Sequence, residues 1–222
     1  MTADEIITKL KTYESVKNRD GMARFGITGK NIIGGPNMPT LRKIGREIGR
    51  DHQLALKLWA SGIYEARLLA AFVENPAEVT EKQMDEWVHD FDSWAICDTV
   101  CGSLLDKTAF AHRKALEYVK SDYKFVRRTG FVIITWLAVH DKKLDDDVFI
   151  KFLPTIKKYS IDERNFVRKA VNWCLRTIGK RNKALNKKAI EAAEEIKQID
   201  SKSARWIAND AIRELNNKKF KL

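Results

Sequence analysis

Cysteine is scarce in this 222-residue chain: Cys97, Cys101 and Cys174 are all it has. So odd and sparse a set cannot build the disulfide framework of a small secreted domain, and a reducing compartment is expected. Proline occurs four times, at 36, 39, 76 and 154, which leaves long stretches without a helix breaker. Histidine also occurs four times, at 52, 89, 112 and 140, never at ligand spacing with Cys97 and Cys101. No metal site and no cofactor are therefore expected. No apolar run approaches the ~20 residues that span a bilayer. The opening Met1-Thr2-Ala3-Asp4-Glu5 lacks the basic and apolar regions of a signal peptide. A soluble, cytoplasmic protein with no membrane partner is the expectation. Acidic residues are also in short supply, 30 against 41 Lys and Arg, for a formal charge of +11. A polyanionic partner follows, with nucleic acid first among the options.

Apolar residues recur at three- and four-residue spacing along nearly the whole chain. Helices are predicted over 3–20, 39–49, 51–60, 62–74, 80–90, 92–105, 109–120, 122–139, 145–158, 162–179, 186–198 and 202–216, and no strand is predicted. Thr80 and Ser121-Asp122 offer capping oxygens at two of the starts. The helices also resemble one another. Tyr64-Glu65-Ala66-Arg67, Phe125-Val126-Arg127-Arg128 and Phe166-Val167-Arg168-Lys169 can be superposed with a base at the fourth position, and Ser203-Ala204-Arg205-Trp206 repeats the basic step. The intervals from Arg67 to Arg128, Lys169 and Arg205 are 61, 41 and 36 residues, so a further unit is expected near residue 98. A period of ~30 to 45 residues of paired helices marks a HEAT or armadillo-like array. The expected fold is all-α: one domain over 1–222, a right-handed solenoid of such repeats with a basic concave face. Arg67, Arg128, Lys169 and Arg205 would line that face, joined by Arg127 and Arg168. Residues 164–188 carry nine Lys or Arg and no acid, which makes the C-terminal half the more positive expectation.

The expected extra unit contains Ser93-Trp94-Ala95-Ile96-Cys97-Asp98. On a helix, Trp94 and Asp98 stand one turn apart on one face, so an indole and a carboxylate are presented together. Trp94 and Trp173 are either core aromatics or groove residues, and Asp98 is either an ion-pair partner or a functional carboxylate. Other chemistries fit poorly. Gly26-Ile27-Thr28-Gly29-Lys30-Asn31 resembles a phosphate loop, but Arg24 occupies its first glycine position and Asn31 replaces the Ser or Thr. Asp141, Asp145, Asp146 and Asp147 resemble a calcium loop, but Asp146 replaces the turn glycine and Phe152 the bidentate Glu. That cluster reads as a surface turn, Cys97 and Cys101 read as core, and Gly34-Gly35-Pro36-Asn37-Met38-Pro39-Thr40 reads as a turn before a helix.

These residues resemble the AlkD branch of DNA alkylation repair proteins, DNA glycosylases built from HEAT-like repeats. The likeness runs from Met22-Ala23-Arg24-Phe25 through Met38-Pro39-Thr40-Leu41-Arg42, the Ser93–Asp98 helix, Phe125–Arg128 and Phe166–Trp173. It implies a catalytic set at Trp94, Asp98 and Trp173, with Arg128 on a flanking phosphate. It also implies excision of cationic N3- or N7-alkylated purines from double-stranded DNA, without a cofactor or an obligatory protein partner. Phe25 departs from the family pattern, where a tyrosine falls in that context. The alternative is a non-catalytic HEAT-like module that grips nucleic acid or an acidic protein.

Overall fold

A computed structural model describes residues 1–29 and 31–220; Lys30 of the Gly26–Asn31 segment, and Lys221 and Leu222 at the end of the expected 1–222 domain, lie outside them. The described residues form thirteen α-helices and one 3-10 turn, with no strand among them. They group into two compact units, Met1–Ala111 and His112–Leu222. The first holds α1 (Ala3–Lys11), α2 (Val16–Arg24), α3 (Met38–Ile48), α4 (His52–Ala60), α5 (Tyr64–Val73), α6 (Glu81–His89), α7 (Trp94–Ser103) and the 3-10 turn Leu105–Lys107. α8 (Ala111–Tyr118) leads into the second, which holds α9 (Lys124–His140), α10 (Asp146–Tyr159), α11 (Asn165–Gly179), α12 (Lys183–Lys197) and α13 (Lys202–Asn216).

Each predicted helix has a counterpart, with one correction. The stretch 3–20 is two helices, because the Ser15 side chain accepts from the Asn18 amide and starts α2 afresh. Thr80 caps α6 as expected, accepting from Gln83 at 3.1 Å. Ser121 does not cap α9: its hydroxyl accepts from the Tyr123 amide, and Tyr123 precedes the helix without a side-chain cap. The aspartates after α9 do form a turn. Asp141 accepts from the Lys143 and Leu144 amides, and Asp145 caps α10 through Asp147.

Packing follows the logic of paired repeats within each unit. In the first, α5 lies against α3, α4 and α7; in the second, α11 lies between α9 and α13, and α12 lies against α10 and α13. First helices thus meet first helices, and second helices meet second helices. Leu58, Leu68, Leu69 and Met84 fill one core, and Phe131, Phe149 and Phe152 the other. Phe131 and Phe152 meet edge to face at 5.8 Å. Close approach is bought by glycine at one point in particular: a Cβ on Gly130 of α9 would stand 2.7 Å from the Ala115 carbonyl of α8. Polar ties link successive repeats, including Arg67 to Asp90 at 3.0 Å and Arg127 to Asp162 at 2.7 Å. All three cysteines are buried, and burial pushes the Cys101 and Cys174 thiols well above their ordinary range. No helix among the described residues is long and apolar enough to cross a membrane.

Candidate functional site

Ser93, itself buried, caps α7 by accepting from the Ile96 amide at 3.4 Å. That cap makes Trp94 the first helical residue and puts Asp98 one turn later. The buried face of α7 carries Ile96, Cys97, Val100 and Cys101, whereas Trp94 and Asp98 are half-buried on the other side. Both line a cavity of about 890 Å³ in the first unit, together with Phe25, Tyr64, Glu65 and Leu68. The Trp94 indole N–H donates to the Phe25 carbonyl at 2.8 Å. This bond fixes the ring and commits its one donor, so the indole offers the cavity only its π surface. Phe25 closes α2 and is 73% exposed.

One wall of the cavity is set by a residue that local sequence gave no reason to single out. Glu65 in α5 is buried, and its carboxylate accepts from the amides of Ile33, Gly34 and Gly35 at 3.0, 2.9 and 3.2 Å. Three amide donors satisfy a charge that would otherwise be costly to bury. They also hold the segment before α3 in one conformation. Gly34 has φ +68°, and a Cβ there would lie 2.4 Å from the Ser15 carbonyl, so the position demands glycine. The segment is the expected turn, since Asn37 caps α3 through Thr40, but it is also a wall. Beside it, burial raises the Tyr64 phenol well above its ordinary value, with Glu65 and Asp92 adding to the shift.

The other expected site residues divide by environment. In the second unit Trp173 is half-buried and meets Trp136 edge to face at 5.6 Å, and Trp136 stacks on His140 at 4.9 Å. Trp136 was not singled out by the sequence, where only its place within α9 marks it. Arg128 is 5% exposed and donates to the Phe166 carbonyl. Arg127 pairs with Asp122 and Asp162 and lies over the Tyr159 ring at 4.8 Å. Arg168 lies 5.1 Å from the Trp206 ring, which is itself 38% exposed. Lys169 is exposed, and Arg205 is exposed beside Asp200 at 2.9 Å. In the first unit Arg67 pairs with Asp90 and covers Trp59 at 5.1 Å. Equivalent places in the sequence repeat therefore have unlike surroundings.

The basic run 164–188 is also answered from outside itself. Arg164 pairs with Asp162, Arg176 and Lys180 with Glu214, Arg181 with Asp146 and Lys188 with Glu191. Five of its nine bases are thus in ion pairs. Burial pushes the Asp162 and Glu214 carboxyls up, but the hydrogen bonds and charges of Arg164 and Arg127, and of Lys180 and Arg176, outweigh it and hold both below their ordinary values.

Comparison with known proteins bears on what such a chain is. It is 25% identical over 202 residues, 90% of its own length and 88% of theirs, to uncharacterised proteins of Listeria monocytogenes serovar 1/2a and Listeria innocua serovar 6a. Among solved structures it is similar to a protein from "a new family of proteins related to the HEAT-like repeat DNA glycosylases with affinity for branched DNA structures". That superposition has a TM-score of 0.80 at 19% identity and covers 100% of this chain and 99% of the other. It establishes the HEAT-like helical-repeat fold. The profile of the DNA alkylation repair enzyme family matches residues 6–215, nearly the whole chain, and the chain belongs to that family.

Proposed function

We propose that this protein is a monofunctional DNA glycosylase that releases cationic N3- or N7-alkylated purines from duplex DNA. One observation carries the reading: Trp94 and Asp98 face the same cavity of the first unit, away from the buried side of α7. A purine alkylated at N3 or N7 is already cationic and departs as a neutral base, so its glycosidic bond breaks without a general acid. Positive charge then develops on the sugar. Asp98 stabilises that charge and orients the attacking water, while the Trp94 ring adds cation-π attraction of ~0.5 to 2 kcal/mol. Trp173 is assigned the same part on the family resemblance alone.

The phosphate contacts fall to Lys169, Arg168 and Arg205, which are exposed or half-buried. Arg67 and Arg127 hold repeats together, and burial takes Arg128 out of direct phosphate contact in this reading. The test is release of 7-methylguanine and 3-methyladenine from methylated duplex DNA. Wild type should release base, and Asp98→Asn should be slower by roughly 10²-fold or more, as when one preorganised electrostatic group is lost. Equal rates in both proteins, or no release by wild type, would sink the mechanism.

The second reading is a non-catalytic DNA-binding module, favoured by the affinity for branched DNA ascribed to the solved relative. Salt-sensitive binding to branched DNA with no base release under the same conditions would select it.

A further inference from the structure

Asn18, Gly21 and Met22 of α2 and its terminal residue Phe25 stand at the i, i+3, i+4, i+7 spacing of the stripe that a surface helix buries. Here the stripe faces open space. All four residues line the cavity of the first unit, about 890 Å³, together with Leu68 of α5 and Trp94 of α7. No residue of α2 is buried, and Val16 and Phe25 are 61% and 73% exposed. The main helix pairings of the first unit join α1, α3, α4, α5 and α7, and none of them includes α2.

A helix of nine residues does not persist in water by itself, and most protein helices are held by packing an apolar face. α2 is held at its ends instead, and the two ends differ. At the start, the Ser15 amide donates to the Ile33 carbonyl at 3.3 Å and the Asn18 side chain to the Gly34 carbonyl at 3.1 Å. The Arg19 stem also lies against Gly34, where a Cβ would stand 2.6 Å from it. Glu65 holds the amides of Ile33 and Gly34, so this end is fastened to a fixed wall.

At the other end, among the described residues, one long-range hydrogen bond does the holding: the Trp94 indole N–H donates to the Phe25 carbonyl at 2.8 Å. Directly after Phe25 comes Gly26 at φ +76°, a backbone state that glycine adopts without strain. Residues at the ends of elements are the ones that absorb the rotation of a hinge. α2 therefore has a firm attachment at Ser15 and a releasable one at Phe25, with a cavity and no core between them.

We infer that α2 is a lid on the cavity, hinged where Ser15 and Asn18 meet Ile33 and Gly34, and latched at Phe25 by the Trp94 indole. Closed, the lid lays its stripe along the cavity and commits the indole N–H. Open, it frees that N–H and widens the way in. The lid rests on the packing of α2 alone and stands whether or not the protein releases bases. A single neutral hydrogen bond biases such an equilibrium by roughly two- to twelvefold, a latch weak enough to open without unfolding the unit.

Spin labels on Asp20→Cys of α2 and Gln53→Cys of α4, both exposed positions, report the lid as a distance by double electron–electron resonance. The three native cysteines are buried and stay unlabelled. Trp94→Phe keeps a ring but has no N–H, so it should raise the population of a second distance roughly two- to twelvefold over that in wild type, with unchanged helical circular dichroism. Amide exchange on wild type is the companion measurement: a lid that swings keeps its own helix bonds, so residues 20–24 should stay protected. A single distance in both proteins overturns the inference, as does a second population that Trp94→Phe leaves unchanged. If Trp94→Phe does not fold, a single distance in wild type is enough to overturn it. Loss of protection along α2 overturns it too, because the helix would then melt and not move.

Discussion

Glu65 shows how one side chain can organise a site without touching a substrate. Its carboxylate is the acceptor for three consecutive amides, and all three would be left buried or half-buried if it were truncated. An unsatisfied buried donor costs ~1 to 3 kcal/mol. Glu65→Ala should therefore lower unfolding stability by at least ~2 kcal/mol in urea titration, with a larger loss than Ala substitution of an exposed glutamate such as Glu86. Glu65→Gln should recover only part of the difference, because an amide brings one acceptor oxygen and a donor that faces donors. At this scale the sequence was half legible. Trp94 and Asp98 could be paired because they are one helical turn apart, which is a local relation. Glu65 could not be paired with Ile33, Gly34 and Gly35, more than 30 residues away in the chain for two of its three bonds.

Two glycines make the case for elements. In α2 a Cβ at Gly21 meets open space; in α9 a Cβ at Gly130 would stand 2.5 Å from a Val119 methyl and 2.7 Å from backbone of α8. Alanine is the better helix former at both positions by ~1 kcal/mol. Gly21→Ala should therefore stabilise the protein by ~0.5 to 1 kcal/mol, whereas Gly130→Ala should destabilise it by ~1 to 3 kcal/mol, because backbone must move to admit the methyl. Thermal or denaturant unfolding of the two variants checks the opposite signs. Helices themselves were legible from three- and four-residue periodicity, down to boundaries within a few residues. The break between α1 and α2 was missed because Ser15 stood inside a pattern that continued across it. Partners of the basic residues were missed for another reason: Arg127 meets Asp162, Arg176 meets Asp210 and Glu214, and Arg181 meets Asp146, all 34 to 38 residues away, and repeat spacing alone does not say whether a base faces an acid or water.

For the whole molecule, charge is the property most changed by folding. The excess of +11 predicted a long basic surface, but Arg176, Lys180 and Arg181 of the run 164–188 are paired with acids of α13 and α10, and Arg164 with Asp162 in the turn before α11. Those acids make the second unit sensitive to low pH. Asp162 and Glu214 are held below their ordinary values in the folded state, so their contribution is complete above the unfolded carboxylate range, ~4, and is lost as pH falls through and below it. Acid titration should therefore weaken His112–Leu222 below about pH 4, read through the fluorescence of Trp136, Trp173 and Trp206, and Asp162→Asn should flatten that dependence.

The hydrogen bond from Trp94 to Phe25 has a consequence in time. It joins residues 69 apart, whereas other long ties, such as Arg181 to Ala138 and Arg164 to Asp122, span 43 and 42. Contacts of greater sequence separation carry a greater loop-closure cost and form late. The indole should thus be among the last side chains of the first unit to lock, after the helices between α2 and α7 have stacked. A nascent chain would acquire its repeats in order and its Trp94 ring orientation only afterwards, so that a partly assembled unit presents helices but no finished site.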